Sequence, residues 1–369
     1  MLGIGMISYG ALLVAVTLLL TFGGLFQRTL EASTHRRGSF FNGFDAAAVG
    51  ILVLFAGVRI GVGTDYSAYE TAYALKVDSE DLAETVRVSD HDIGFAGLQF
   101  IGKAAGLEFG HFVFLVSALT VSISALAVWR LGTSPRIALW FYVAFATYLV
   151  PMNLIRQGLA MAFVLMFAGE LQRRSRWSII WASLAIVSHY SSAVAVVALV
   201  ALRFAPDVKA KSLMVYFISG AAGLLALVSS GAIGPIAAYL NPRYADYAVF
   251  SEVTGGSGFG TVLSMVFRIA LVLISAIVLG MDFGGRFNGH LALQVTVGAL
   301  MLVGSSVILE LARLDLYFFM AGIFLAERVV RSRKRALLPK LAVVVGAVTY
   351  YFTYVHSYGG LLPYAWAFA

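Results

Sequence analysis

Long apolar stretches of about 20 residues, separated by short polar loops, constrain this chain more than any other feature. A helix needs about 20 apolar residues to cross the hydrocarbon core of a bilayer. The composition agrees, because 60% of the residues are hydrophobic, only 12% are charged, and the mean hydropathy is +0.88. A water-soluble protein of this size could not bury so much apolar surface. The sequence therefore predicts an all-α integral membrane protein.

We expect about ten full transmembrane helices, in one polytopic membrane domain over residues 1–369. The first stretch has no Lys or Arg before Arg28 and no small-residue cleavage site, so we interpret it as a retained span. The predicted spans are 6–26, 45–63, 110–129, 137–151, 153–171, 212–230, 259–280, 289–309, 312–330 and 337–356.

The basic residues predict the orientation of these spans. The net charge of +7 arises from short Lys/Arg clusters between apolar stretches, which indicates membrane topology and not nucleic-acid binding. Such clusters remain on the cytoplasmic side. Both termini and the acidic segment 64–92 are then expected on the outer side. The clusters placed inside are Arg28, Arg36 and Arg37; Arg130 and Arg136; Arg173, Arg174 and Arg176; Arg203, Lys209 and Lys211; and Arg331, Arg333, Lys334 and Arg335.

Two segments do not fit this alternation as full spans. Residues 93–107 begin and end outside, so we predict a partial outer helix there. Residues 177–202 begin and end inside, so we predict a helical hairpin with His189 at its tip. Non-helical backbone at membrane depth is tolerated only inside protein or beside a wet cavity, so the tip should face such a cavity.

Eight Lys and Arg residues lie outside or within the membrane in this arrangement, and five of them, all arginines, need a reason. A cation at membrane depth costs about 2.5–3.5 kcal/mol on insertion scales. Each could extend to the outer headgroups or pair with Asp65, Glu310 or Asp315. These carboxylates are too few to neutralise the whole set, so an outer pocket for an anion such as a lipid pyrophosphate is predicted. The five are Arg59, Arg156, Arg243, Arg268 and Arg313.

The segment after the second span carries Arg59, a run from Gly63 to Tyr66, and Tyr69. It lacks the Gly-Lys-Ser/Thr of a phosphate loop and the strand context of a dinucleotide site. We expect it to expose Asp65, Tyr66 and Tyr69 beside Arg59, a set suited to sugar hydroxyls and stacking. This pattern resembles the signature of the EpsG family of Wzy-type exopolysaccharide polymerases.

Four later segments extend the resemblance over about residues 45–330. They resemble the family's Arg-Gln-x-Leu-Ala helix start, its His-x-Ser-Ala segment, its outer Tyr-x-x-Tyr loop and its late Arg-x-x-x-Tyr-Phe helix. The outer loop carries Arg243 where the family pattern has Lys. The matching segments are 153–160, 188–193, 242–247 and 313–318.

The resemblance implies a GT-C-like membrane glycosyltransferase of the bacterial inner membrane, with its active site facing the periplasm. It implies that undecaprenyl-diphosphate-linked oligosaccharides serve as donor and acceptor, and that one lipid diphosphate is released per step. A chain-length regulator and export machinery are the protein partners it implies, besides the lipid bilayer. We expect no nucleic acid, no cofactor and no metal, because the Asp-His-Asp run at 90–92 is interpreted as loop charge and the outer loops have no other Asp-x-Asp motif.

Roles follow as hypotheses. Without a metal, fixed cations must stabilise the leaving pyrophosphate, and we assign Arg156 and Arg313 first, then Arg59 and Arg268. The general base is His189 or Asp65; the alternatives are that His189 holds the hairpin tip and that Asp65 pairs with Arg59. The remaining candidates support these residues or contact sugar, although Tyr also anchors at membrane interfaces. They are Gln157, Glu310, Asp315, Arg243, Tyr66, Tyr69, Tyr244 and Tyr247.

Other functions remain open at this point. An O-antigen ligase would use the same donor but usually carries a larger outer loop than 231–258. A lipid-linked sugar flippase or transporter would also place Arg in a cavity, but should show duplicated halves, which the sequence lacks. A structural membrane subunit is disfavoured by the excess outer charge. The chain has no cysteine, which excludes disulfides, thiolate metal sites and Cys nucleophiles.

Overall fold

A computed structural model describes residues 2–34, 40–74, 92–230, 259–305, 310–334 and 336–366. Within these ranges the chain is all-helical, which confirms the predicted fold class. By length and composition, five of the described helices could cross a membrane. These five lie at Gly5–Glu31, Phe109–Leu131, Gly260–Leu279, Arg286–Gly304 and Leu337–Ser357.

Fifteen helices lie in the described part of the chain. They are α1 Leu2–Thr34, α2 Gly43–Gly57, α3 Tyr66–Ala74, α4 Ile93–Ala104, α5 Phe109–Leu131, α6 Pro135–Ala144, α7 Val150–Asn153, α8 Ile155–Gln172, α9 Trp177–Ser188, α10 Ser192–Phe204, α11 Ala210–Ser229, α12 Phe259–Leu279, α13 Arg286–Gly304, α14 Glu310–Arg331 and α15 Leu337–Ser357.

The contacts divide the chain into two compact units, and the first comprises Met1–Val197 with Tyr351–Ala369. Its centre is formed by α5 and α8, which pack on each other. α5 also packs on α2, while α8 packs on α9, and α1 covers α2 and α6. α8 is buried along most of its length. A helix that is apolar on all faces is stable only when it is surrounded, which explains this central position.

The second unit comprises Ala198–Tyr350. Its core is the α13–α14 pair, against which α12 packs on both helices and α11 packs on α13. α14 is continuously buried from Tyr317 to Glu327, which matches its apolar and small side chains over most of that stretch.

Two predicted spans are wrong as continuous helices. The span 45–63 is helical only to Gly57, because the chain then turns through Gly61 and Gly63, both at positive φ. The span 137–151 is helical only to Ala144, since Ala146 adopts a φ of 56°. The non-helical residues 145–149 are all buried, and the Tyr148 hydroxyl donates to the Leu52 carbonyl at 2.7 Å. Protein groups thus satisfy backbone that leaves the helix.

The two segments that did not fit as full spans form a short helix and an interrupted helix. The partial helix predicted at 93–107 is α4, of twelve residues. The 177–202 segment is interrupted at His189, between α9 and α10. α9 packs mainly against α8 and α4. Close packing of the two arms along each other, as expected for a hairpin, is not found for these described helices.

Candidate functional site

Asp92 joins three parts of the first unit. Its Oδ2 accepts a hydrogen bond from Arg156 Nη1 at 3.0 Å and lies 2.9 Å from His189 Nδ1. Its Oδ1 accepts from the Tyr190 N–H at 3.0 Å. The carboxylate therefore connects the start of α4 with the start of α8 and with the break between α9 and α10. We call Asp92, Arg156 and His189 the Asp92 cluster.

Local structure places each member. Asp92 is the residue before α4, and Arg156 is the second residue of α8. His189 follows the last residue of α9 with extended backbone, and its N–H still donates to the Ala185 carbonyl at 3.0 Å. Gly94 allows α4 to approach α9, because a Cβ there would lie 2.8 Å from the Val187 carbonyl oxygen. The cluster is thus formed where helix ends meet.

The cluster is polar but only partly shielded from solvent. Asp92 is buried, whereas the side chains of Arg156 and His189 are 26% and 20% exposed. Burial alone would raise the pKa of Asp92, but hydrogen bonds from His189 and the Tyr190 N–H hold that pKa below its usual value. Asp92 is therefore ionised at neutral pH and holds one cation and one imidazole.

This arrangement supports proton transfer beside a fixed cation. A carboxylate at Nδ1 of a histidine fixes the tautomer and stabilises the imidazolium, leaving Nε2 to accept a proton. The Tyr69 hydroxyl also hydrogen-bonds with Arg156. Gln157, the other predicted residue in this turn of α8, is buried. The structure thus brings two of the predicted residues, His189 and Arg156, together at Asp92.

Arg59 differs from its expected position in an outer pocket, because it is 1% exposed. Its guanidinium donates to the carbonyls of Met152 at 3.2 Å, Pro151 at 3.4 Å and Ala56, and to Ser117 Oγ at 3.1 Å. Four of the five N–H donors of the guanidinium are thus engaged, three of them by backbone carbonyls at the end of α2 and in α7. The structure therefore does not place Arg59 at the surface of an outer pocket as predicted.

Asp65 does not pair with Arg59 in the described structure. Its backbone N–H donates to Asn153 Oδ1 at 2.9 Å, and its Oδ1 lies 3.3 Å from the Thr64 hydroxyl oxygen. The side chain remains partly exposed. No hydrogen bond or ion pair joins Asp65 to Asp92 or His189 in the described part of the chain.

Tyr66 and Tyr69 were expected to be exposed, and this expectation is wrong. They are 4% and 7% exposed and belong to an aromatic cluster with Tyr73, Phe95 and Phe109. Tyr66 packs edge-on against Phe109 with ring centroids 5.2 Å apart. The helix α3 turns these rings onto α4 and α5, since burying an aromatic side chain gains more than leaving it in a loop.

The second unit holds the other candidates. Arg268 and Asp315 are both 1% exposed and form a bidentate ion pair, with Nε to Oδ1 at 2.9 Å. The guanidinium also lies 3.8 Å from the ring centre of Phe319. The free positive charge predicted at Arg268 is therefore neutralised by Asp315 and not by Glu310. Arg313 is exposed on α14, and Glu310 is half-buried at its first turn.

Three predicted residues, Arg243, Tyr244 and Tyr247, lie outside the described residues. Among the residues that are described, no three His, Asp or Glu side chains gather as metal ligands would.

Asp92 is the residue that sequence reasoning missed. The Asp-His-Asp run at 90–92 was interpreted as loop charge. The available signal was its position, because Asp92 directly precedes the predicted partial helix, where Asp is a preferred N-cap residue. In the structure its side chain makes no capping bond and turns to Arg156 and His189 instead.

Comparisons with known proteins give one finding. No curated protein and no solved structure matches the chain. The model of the EpsG family matches residues 44–366, a range that includes all members of the Asp92 cluster. With most of its length matched, the chain belongs to the EpsG family.

Proposed function

We propose that this protein polymerises lipid-linked oligosaccharide repeats, with the Asp92 cluster as the catalytic centre. Membership of the EpsG family indicates an exopolysaccharide-related polymerase. The observation that carries the proposal is the shared carboxylate of Asp92, which holds a histidine and an arginine at one partly exposed place.

The proposed reaction is glycosyl transfer from an undecaprenyl-diphosphate-linked donor to a sugar hydroxyl of the acceptor. Nε2 of His189 takes the proton of the acceptor hydroxyl while the hydroxyl oxygen forms a bond to the anomeric carbon of the donor. The bond between that carbon and the diphosphate oxygen breaks, and lipid diphosphate leaves. Asp92 stabilises the imidazolium that forms. Asp65 is the alternative base.

Arg156 is proposed to stabilise the negative charge on the leaving diphosphate. A guanidinium that is preorganised beside the reacting groups lowers the barrier without moving during the reaction. Asp92 and Tyr69 occupy only part of the hydrogen-bonding capacity of Arg156. A quarter of the Arg156 side chain is exposed. In the second unit, Arg313 is exposed on α14 and remains a proposed residue for binding an anionic group.

The proposed location of the reaction is the outer face of the cytoplasmic membrane of a bacterium. In the first unit, Arg136 pairs with Asp45 at the start of α2, and Arg130 pairs with Glu170 near the end of α8. Arg156 lies at the opposite end of α8. If the basic end is cytoplasmic, the Asp92 cluster faces outward. A chain-length regulator and export machinery are proposed partners.

The test uses purified protein in nanodiscs with a lipid-linked repeat, and follows both polymer length and released lipid diphosphate. We expect Arg156→Ala to reduce elongation by about 10²–10³-fold, as for loss of one preorganised donor. We expect His189→Gln to reduce it by about 10²–10⁴-fold and to remove its dependence on pH near neutrality.

The control is Arg130→Ala, which removes an arginine from an ion pair at the other end of α8 and should leave elongation unchanged. Normal elongation by folded Arg156→Ala and His189→Gln would contradict the proposal. Transfer of a single repeat to a lipid A core would indicate a ligase. Movement of the lipid-linked repeat without release of diphosphate would indicate a transporter.

A further inference from the structure

We propose that Arg59 is a positioning residue that fixes the start of α8, and thereby Arg156, and that it does not bind the anionic ligand itself. This inference rests on the proposed function, in which Arg156 contacts the diphosphate. It assigns a purpose to the segment from Arg59 to Asp65, which the catalytic proposal leaves unexplained.

Four of the five N–H donors of Arg59 are already engaged. They reach the carbonyls of Ala56, Pro151 and Met152 and the hydroxyl of Ser117. With 1% of its surface exposed, the side chain could meet a phosphate only after these bonds were broken. Breaking these bonds would leave buried carbonyls without donors, which costs free energy. A cation whose donors do not already hold buried carbonyls could bind the phosphate without this cost.

The charge of Arg59 is balanced without a carboxylate in the described part of the chain. Arg59 lies two residues after the end of α2, where the last carbonyls of the helix carry partial negative charge. The carbonyl of Ala56, in the last turn of α2, is one of its acceptors. Carbonyl dipoles from α2 and α7 therefore stabilise the buried guanidinium.

The acceptors on the other side lie directly before α8. Pro151 and Met152 belong to α7, which ends at Asn153, and α8 begins at Ile155 after a break at Leu154. Arg156 is the next residue of α8. The Arg59 guanidinium, just after α2, binds the carbonyls of residues 151 and 152. It thus restrains the turn that orients Arg156.

A second set of contacts holds the same turn. Asn153 Oδ1 accepts hydrogen bonds from the Asp65 N–H and the Thr64 hydroxyl, both at 2.9 Å. Gly63 has a φ of +108°, and a Cβ there would lie 2.6 Å from the Met152 carbonyl oxygen. Only glycine combines this backbone conformation with such close approach. Residues 59–65 therefore hold residues 151–153 at several points, and we call them the α8 strap.

The strap matters for catalysis because small displacements are costly. A shift of about 1 Å in a catalytic group can reduce turnover by about 10²-fold. Arg59→Lys retains the charge but loses the planar fork that reaches several carbonyls at once. Asn153→Ala leaves Arg59 intact and removes the second set of contacts. Both variants should impair Arg156 to a similar degree.

The first experiment is a double-mutant cycle on elongation. We expect Arg59→Lys and Asn153→Ala each to reduce elongation by about 10–10²-fold, mainly through kcat. In the Arg156→Ala background neither should reduce it further, because the residue through which they act is absent. Losses that multiply in that background would show that Arg59 contributes on its own and would overturn the inference.

The second experiment measures the strap without using activity. Because the chain has no cysteine, Leu154→Cys supplies a single thiol at the turn between α7 and α8. Its alkylation by maleimide should be about tenfold faster with Arg59→Lys or Asn153→Ala, since local opening governs such access. Unchanged alkylation in both backgrounds would overturn the inference. Normal elongation by Arg156→Ala would instead overturn the proposed function, and alkylation would still judge whether Arg59 restrains the turn.

Discussion

Asp92 accepts hydrogen bonds from Arg156, His189 and the Tyr190 N–H, so loss of its charge should disturb the base and the cation together. In Asp92→Asn the amide can donate to Nδ1 and leave the proton on Nε2, the atom proposed to accept it. We expect elongation to fall by about 10²–10⁴-fold, because the wrong tautomer removes general-base catalysis, which contributes about that much. The measurement is the rate of lipid diphosphate release.

Asp65→Asn is the matched control for this change, because Asp65 is partly exposed and makes no hydrogen bond or ion pair with His189 in the described residues. It should reduce elongation much less than Asp92→Asn. A larger loss in Asp65→Asn would identify Asp65 as the base and contradict the proposed role of His189.

The same carboxylate should make stability depend on pH. The pKa of Asp92 is lowered in the folded protein, so its stabilisation is complete above the unfolded value of about 3.9. That stabilisation is lost as the pH falls through the lower folded pKa. Thermal unfolding midpoints of the wild type and Asp92→Asn should therefore differ at neutral pH and converge in acid. A difference that grows in acid would contradict this sign.

Single residues were predictable from sequence when their placement was unusual. Arg156 stands at the start of an apolar span and His189 inside another, and both belong to the candidate site. Asp92 was missed because its partners are 64 and 97 positions away, and nothing local marks a carboxylate that will bridge them. Arg59 was assigned to a ligand because the sequence does not show which backbone carbonyls will surround a cation.

At the scale of elements, the approach of α4 to α9 determines whether Asp92 meets His189. A Cβ on Gly94 would lie 2.8 Å from both Val187 Cγ2 and the Val187 carbonyl oxygen. We expect Gly94→Ala to push the helices apart, to destabilise the fold by about 1–3 kcal/mol, and to reduce elongation. Thermal unfolding and lipid diphosphate release measure the two effects.

Gly97→Ala, three residues later on α4, is the control. A Cβ there meets no atom within 4 Å. Its effect should be a stabilisation of about 0.5–1 kcal/mol from helix propensity, with elongation unchanged. Equal effects of the two substitutions would show that close packing of α4 on α9 does not position the cluster.

Elements were predictable where an apolar run continues as one helix. α5 and α15 lie close to the predicted spans 110–129 and 337–356. The ends of α2 and α6 were not, because mainly apolar residues continue after the helix has stopped, at 58–62 apart from Arg59 and at 145–149. Hydropathy shows only that these residues are shielded from water. Non-helical backbone that is buried and hydrogen-bonded by protein groups is shielded as well as a helix is, so hydropathy does not distinguish the two.

At the scale of the whole molecule, the alternation of basic loops predicts the same side for both ends of the 177–202 segment. α9 and α10 contain 12 and 13 residues, and each rises about 18–20 Å, too short for a hydrocarbon core of about 30 Å. Either two arms each enter partway, or together they form one broken span. Arg173, Arg174 and Arg176 before the segment and Arg203, Lys209 and Lys211 after it favour the first arrangement.

Labelling of single cysteines distinguishes these arrangements, because the chain has no cysteine of its own. Asp207→Cys lies on an exposed side chain just after α10. A membrane-impermeant maleimide added to intact spheroplasts should not label Asp207→Cys until the membrane is permeabilised. The inner control, Gln172→Cys, should behave in the same way. The outer control Ser67→Cys should react at once. If Asp207→Cys reacted as fast as Ser67→Cys, residues 177–204 would cross the membrane as a broken helix, and the predicted orientation of every later span would be reversed.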